Sequence, residues 1–199
     1  MVFRTARSAP TWSYSAIRDP RDAYFSGRNH RDNLSDQDLA ARGFPGGEDA
    51  FGTWLDHVRE GEDWDFWSLE AIVHFFRSYW SYRHLPNVHF VHYSDMKRDL
   101  PAAVRRLADA IGVTYADAEL DAFAEAASFE HMKRNADQFA PESGTGLWKS
   151  ESSFFARGAL GQWAEEWSAQ EIAAFETRIG ALLSPSEATW LLGGGALPD

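Results

Sequence analysis

W-S-Y-S-A-I-R-D-P-R-D-A-Y-F-S, from Trp12 to Ser26, is the stretch that decides the fold. Its first six residues, Trp12 to Ile17, read as a short strand. Asp19 and Pro20 then stand as N-cap and first-turn residue of a helix that runs to about Asn29. Val88 to Tyr93 reads as a second strand, with Val88, Phe90 and His92 on one side. Before it lies the strongest helical stretch, Phe66 to Leu85, where Leu69, Ile72, Val73, Phe76, Tyr79 and Trp80 recur on one face until Pro86-Asn87 ends it. Each strand is followed by helical sequence, which is the grammar of a parallel α/β sheet. Two parallel strands do not make a stable sheet alone, so the sequence reads as part of a larger α/β unit. Ser13 and Ser15 are unusual there, because central parallel strands are nearly all apolar.

Outward from these elements, helices are expected over Glu48–Glu60 (Phe51, Leu55 and Val58 inward), Pro101–Ile111 (Val104, Leu107, Ile111), Ala116–Ala127 and Ala169–Leu183 (Ile172, Phe175, Ile179, Leu182). Arg42–Gly47 and Asn135–Ser153 read as loops. The 199 residues suit a single domain whose ends, 1–11 and 192–199, fray.

Composition narrows the function. Aromatics reach 15%, with nine Trp, so the core and any cleft should be rich in rings. There is no Cys, which excludes disulfides, zinc–thiolate sites and thiol nucleophiles and suits a reducing compartment. A formal net charge of -11 repels nucleic acid and acidic membranes, so a phosphate-bearing ligand needs a local basic pocket. No apolar run approaches the roughly 18 residues of a membrane span, and the Arg-containing start is too polar for a secretory signal. A cytoplasmic location without a membrane or nucleic-acid partner is expected.

Arg18 sits at the carboxyl end of the first strand, where open α/β sheets bind ligands. The helix opening at Pro20 offers free N–H groups to an anion, Arg18 a forked cation, and Ser26 a hydroxyl. By residue chemistry alone, the same segment also reads as a surface helix start carrying Arg–Asp pairs. The seven His (His30, His57, His74, His84, His89, His92, His131) show no metal spacing, and no metal is expected. His89 and His92 fall on opposite faces of their strand. His57 follows Asp56 and could be mistaken for a base. The acidic clusters around Glu60–Asp65 and Glu165-Glu166 read as solvated faces.

Five stretches, in order from Arg18 to Trp163, resemble the cytosolic-type sulfotransferase family that uses 3′-phosphoadenylyl sulfate. R-D-P-R-D-x-x-x-S (Arg18–Ser26) is similar to its 3′-phosphate-binding segment. F-G-T-W-L-D-H-V (Phe51–Val58), V-H-Y-S-D-M-K-R-D (Val91–Asp99), S-F-E-H-M-K-R-N (Ser128–Asn135) and F-F-A-R-G-A-L-G-Q-W (Phe154–Trp163) resemble the family's G-S-W-x-x-H-V, Y-E-D-M/L-K-x-D, S-F-x-x-M-K-x-N and F-x-R-K-G-x-x-G-D-W segments. The resemblance implies the α/β, P-loop-NTPase-like sulfotransferase fold, here N-terminally truncated and mostly helical around a small parallel sheet. It implies transfer of a sulfuryl group from 3′-phosphoadenylyl sulfate (PAPS), leaving adenosine 3′,5′-bisphosphate (PAP), to a hydroxyl or amine of a small-molecule acceptor. Arg18 and Ser26 would hold the 3′-phosphate, and Tyr93 would reach the adenine side. Ser128, Phe129 and Met132 would line the adenine and 3′-phosphate region. Phe154, Arg157 and Gly158 would close over the nucleotide. His57 falls in a segment that is structural in the family.

The departures are specific. Ala156 stands where the family has the first of two adjacent basic residues, and Gln162 where an Asp is usual. The family's P-K-S-G-T-T-W loop, whose Lys stabilises the bridging oxygen, and its general-base His belong upstream of Arg18, so the catalytic pair is expected in a missing N-terminal part. Arg7-Ser8-Ala9-Pro10-Thr11-Trp12 echoes the loop, but Pro10 has no N–H to donate and Ala9 replaces a permissive Gly. Three readings follow: a sulfotransferase with little turnover in this chain, an inactive 3′-phosphonucleotide-binding module, and a truncated chain whose open sheet edge invites a homodimer.

Overall fold

The computed structural model describes residues 13–58, 60 and 66–198. The strands β1 (Ser13–Ile17) and β2 (Val88–His92) pair in parallel, in a register that runs from Ser13↔Val88 to Ile17↔His92. Between them come α1 (Pro20–Asn33), α2 (Gln37–Gly43), α3 (Ala50–Asp56) and α4 (Leu69–Trp80). After β2 follow α5 (Tyr93–Arg98), α6 (Leu100–Ile111), α7 (Asp117–Ala126), α8 (Phe129–Arg134), α9 (Ala136–Phe139), α10 (Glu151–Phe154), α11 (Trp163–Glu166), α12 (Ala169–Leu182) and α13 (Pro185–Gly193). The architecture is the expected one, mostly helical around a small parallel sheet. The echo at Arg7–Trp12, the frayed start 1–11 and most of the acidic cluster before Phe66 lie outside the described residues.

Local chemistry sets the element ends. The Asp19 carboxylate accepts from the Arg21 N–H at 2.9 Å and caps α1, and Pro20 fills a position that needs no N–H. The Arg21 guanidinium forks the same carboxylate, with Nη2 2.7 Å from Oδ2. Ser68 caps α4, whose Leu69, Val73, Phe76 and Trp80 are all buried. Asp99 caps α6, and Gly112 at φ 71 ends it in the left-handed region.

The helices α2, α5, α8, α11 and α13 are not among the expected ones. The last has a clear signal in hindsight: Ser184-Pro185-Ser186-Glu187 forms a reciprocal capping box, with the Ser184 N–H donating to Glu187 Oε2 at 2.9 Å. The segment 135–153, expected as a loop, contains α9 and enters α10. Residues 192–198 are held rather than loose. Arg98 Nη2 donates to Gly193 O at 2.7 Å, the Gly195 N–H to Asp95 Oδ2 at 2.9 Å, and Trp190 Nε1 to Gly195 O at 3.1 Å.

The main core lies on one face of the sheet. Trp54, Leu69, Phe76, Phe175 and Leu191 are fully buried there, and Phe90 of β2 meets Trp80 and Trp190 edge-on at 5.9 and 5.4 Å. Ser15 is 1% exposed on this face. On the other face Tyr14 and His89 stack at 5.1 Å beside an open groove of about 610 Å³ whose far wall is α6. A second, smaller core forms around Phe155, Ala136 and Ala140, with Phe129, Met132 and Phe154 against it. Among the described residues no helix is long and apolar enough to cross a membrane.

Candidate functional site

The strand register creates the site. Ile17 and His92 are partners, so the residues that follow them, Arg18 and Tyr93, emerge side by side at the carboxyl end of the sheet. The Arg18 guanidinium carbon lies 4.5 Å from the Tyr93 ring centroid, a cation–π contact that fixes both.

Helix α1 carries the site's second element on one polar stripe. Asp22, Ser26, Asn29, His30 and Asn33 recur at helical spacing and face the segment from Trp148 to Gln162. At one end the buried Asp22 carboxylate accepts from the Gly161 N–H (2.9 and 3.0 Å to its two oxygens) and the Gln162 N–H (3.2 Å). At the other, Asn33 Nδ2 donates to Ser150 O at 2.8 Å and Asn33 Oδ1 accepts from the Ser150 N–H at 3.1 Å. The segment is thus pinned at both ends, and between the pins it arches over Ser26 and His30.

Under that arch lies a cavity of about 200 Å³. Arg18, Ser26, Asn29 and His30 line its polar side, Phe129, Met132, Phe154 and Phe155 its apolar side, and Tyr93, Ala156, Arg157, Gly158 and Gln162 the remainder. Gly158 has φ 60, and a Cβ there would sit 2.6 Å from the Phe129 ring, so only glycine lets the loop backbone come this close. Lys133 Nζ donates to Ala156 O at 2.7 Å and steadies the same loop. A flat apolar wall facing a cation and a hydroxyl suits a ring system that bears an anion.

The electrostatics are uneven. Arg18 Nε is buried with no hydrogen-bond partner among the described residues, and its Nη2 makes one long bond, 3.4 Å to Ala159 O. Arg157 is engaged: its Nη1 lies 3.1 Å from Glu166 Oε1, in an exposed pair. Burial pushes the Tyr93 phenol up, against the pull of Arg18. It pushes the Asp19 carboxyl up as well, against the pull of Arg21. A second cavity of about 190 Å³ shares Arg18 as a wall, but its other cations are committed, Arg21 to Asp19 and Arg98 to Asp95.

Of the residues singled out in the sequence, Arg18, Ser26, Tyr93, Phe129, Met132, Phe154, Arg157 and Gly158 all line the one cavity. Ser128 does not line it; its hydroxyl oxygen caps α8, accepting from the His131 N–H at 3.2 Å. His57 is the C-cap residue of α3, its ring 4.4 Å from that of Phe66. Asn29, His30 and Phe155 belong to the cavity and were missed, as was the Asp22 clamp. For His30 a signal existed: it stands four residues after Ser26, on the same helix face.

The sulfotransferase domain family matches residues 15–186. A glycolipid sulfotransferase of Mycobacterium bovis is 32% identical over 123 residues, covering 62% of this chain and 38% of its own. The crystal structure of mouse sulfotransferase SULT7A1 complexed with PAP superimposes with a TM-score of 0.66 at 21% identity, covering 91% of this chain and 61% of that one. Retinol dehydratase in complex with androsterone and PAP gives a TM-score of 0.67 at 22% identity, covering 87% and 48%. The chain therefore spans less than two thirds of each of these proteins.

Proposed function

Because the chain belongs to the sulfotransferase domain family, we propose that its cavity binds the adenosine 3′-phosphate part of 3′-phosphoadenylyl sulfate and serves sulfuryl transfer to a small-molecule hydroxyl or amine. The observation that carries this reading is convergence. The residue that follows β1 and residues from α1, α5, α8 and the 154–158 stretch, far apart in sequence, line one cavity with a cation at one side and rings at the other. The fit is specific at Arg18, whose buried Nε, without a hydrogen-bond partner among the described residues, would gain a phosphate oxygen as acceptor.

In this reading Arg18 and the Ser26 hydroxyl hold the 3′-phosphate, and Phe129, Met132 and Phe154 form the slot for adenine. Tyr93 backs the Arg18 guanidinium, and Gly158 lets the loop close over the nucleotide. These residues bind and orient the donor, which matters because in-line displacement depends on holding donor and acceptor in reach of each other. The sulfur–oxygen bond to the donor phosphate breaks as the bond from sulfur to the acceptor oxygen or nitrogen forms. None of the residues named here is assigned as the base that takes the acceptor proton. The lack of Cys is in keeping with a cytoplasmic setting, which we include in the proposal.

Calorimetric titration of the purified chain with PAP tests the reading. Saturable binding in the micromolar range is expected. Arg18→Ala should weaken it by about 10- to 100-fold, the scale of hydrogen bonds to a charged group, with little change in the melting temperature of the free chain. Equal affinity of the two proteins would refute the assignment of the cavity.

A further inference from the structure

A 3′-phosphate near neutral pH carries close to two negative charges. Among the described residues that line the cavity, Arg18 is the cation without a carboxylate partner, since Arg157 is paired with Glu166 at 3.1 Å. A dianion beside a single guanidinium in a partly desolvated cavity leaves charge uncompensated. His30 lines this cavity, and its Nδ1 is buried without a hydrogen-bond partner among the described residues. Its ring is held from behind by Phe154 at 4.6 Å and Trp148 at 5.7 Å.

We infer that His30 is a specificity-determining contact for the 3′-phosphate, donating a ring N–H to the anion as the second cation beside Arg18. This rests on the nucleotide reading of the cavity and adds to it a residue that selects for the phosphate. The groups around the ring are consistent. Arg18, at the end of β1, is the charged neighbour that acts on it. From α10 and the loop before it come the uncharged rings of Phe154 and Trp148, while Lys149 Nζ turns to Asp32 O at 2.7 Å and Glu151 Oε1 to the Gly144 N–H at 3.3 Å. Across the cavity stand Tyr93 and the paired Arg157. Burial, and secondarily the Arg18 charge, hold the free imidazole below the ordinary histidine range, so it is neutral at pH 7 when the cavity holds no anion.

The sign of the linkage follows. An entering phosphate dianion favours the imidazolium, so binding takes up a proton, and affinity falls as pH rises above neutral. The phosphate itself gives the opposite sign, because a cationic pocket lowers its second pKa and releases protons. The two sources are therefore separable.

The experiment is titration of the chain with PAP at pH 7 in buffers of different ionisation enthalpy, repeated with adenosine 5′-monophosphate, which lacks the 3′-phosphate. Wild type should take up between about 0.5 and 1 proton per PAP and fewer with the monophosphate. His30→Phe keeps the ring packing and removes both nitrogens; it should bind PAP about tenfold or more weakly, show no uptake, and lose most of the discrimination between the two nucleotides. Proton release by wild type, or unchanged discrimination in the Phe variant, would overturn the inference. The wild-type proton count alone decides the matter if His30→Phe does not fold. Binding that depends on Arg18 but is indifferent to His30 would sink this inference and leave the nucleotide reading standing; no binding by wild type would end both.

Discussion

The two apolar clusters of this chain are built from the same kinds of ring and do different work. In the main core Phe76 lies against Trp80 at 4.8 Å and Trp190 at 6.0 Å, Trp54 stacks on Phe175 at 6.2 Å, and all five rings are buried. In the smaller cluster Phe129, Met132 and Phe154 are only partly buried, and one side of them opens on the cavity. The main core also holds polar atoms without partners among the described residues, but they are neutral: Trp54 Nε1, Trp167 Nε1 and Ser15 Oγ. At the cavity the unpartnered atoms are Arg18 Nε and His30 Nδ1, groups that carry or can take a charge. A neutral orphan costs the fold about 1–3 kcal/mol, whereas a cationic one beside a cavity supports the proposed anion site. Aromatic content alone therefore says nothing about function; what the rings leave uncovered does.

The sharpest separation of the two regions comes from the main core. Phe76→Ala removes a fully buried ring at the centre of the cluster. It should cost about 3–5 kcal/mol, a large share of a domain's stability, and lower the melting temperature by about 6–20 °C. Measured at a temperature where the variant is still folded, PAP affinity should stay within about twofold of wild type. A collapse of affinity in folded protein would mean that the two clusters are one cooperative unit.

Asp22 links the regions and should show an intermediate effect on both. Asp22→Ala leaves the Gly161 and Gln162 N–H groups without their acceptor in a half-buried place. The expected loss is about 2 kcal/mol, or about 4–8 °C in melting temperature, together with a several-fold loss of PAP affinity as the arch over the cavity loosens. Loss of stability with full affinity would show that the arch holds its shape without the clamp.

How much of this was legible in the sequence differs between the regions for a physical reason. The apolar period of α4 and the strand-to-helix step at Arg18 are local signals, and together with similar patterns elsewhere they give both strands, their parallel order and six of the thirteen helices among the described residues. The capping box at Ser184–Glu187 is equally local, yet it lies beyond Leu183, where the last expected helix ends. The cavity residues between Phe129 and Gly158 became legible only through motif resemblance, since nothing local says that Phe154 faces Ser26. His30 and Asp22 belong to a polar stripe of α1, which the start signal at Asp19-Pro20 does not report. Ser128 was read as a ligand, yet its place just before Phe129 is that of an N-cap, which the S-F-E-H spacing fits by itself.

The smallest expected effect concerns Arg157, the cavity cation that is occupied. Its pair with Glu166 is exposed on both sides, 62% for the Arg side chain and 45% for the Glu, so breaking it should cost about 0–1 kcal/mol and move the melting temperature by no more than a few degrees. Glu166→Gln leaves the guanidinium without its charged partner at the rim of the cavity. If Arg157 reaches the nucleotide when the loop closes, the variant should bind PAP about two- to fivefold more tightly, with a steeper loss of affinity as salt is raised, because one more cation then faces the phosphate. Unchanged affinity and salt dependence would confine Arg157 to the surface pair and leave Arg18 and His30 as the cations that distinguish the cavity from the core behind it.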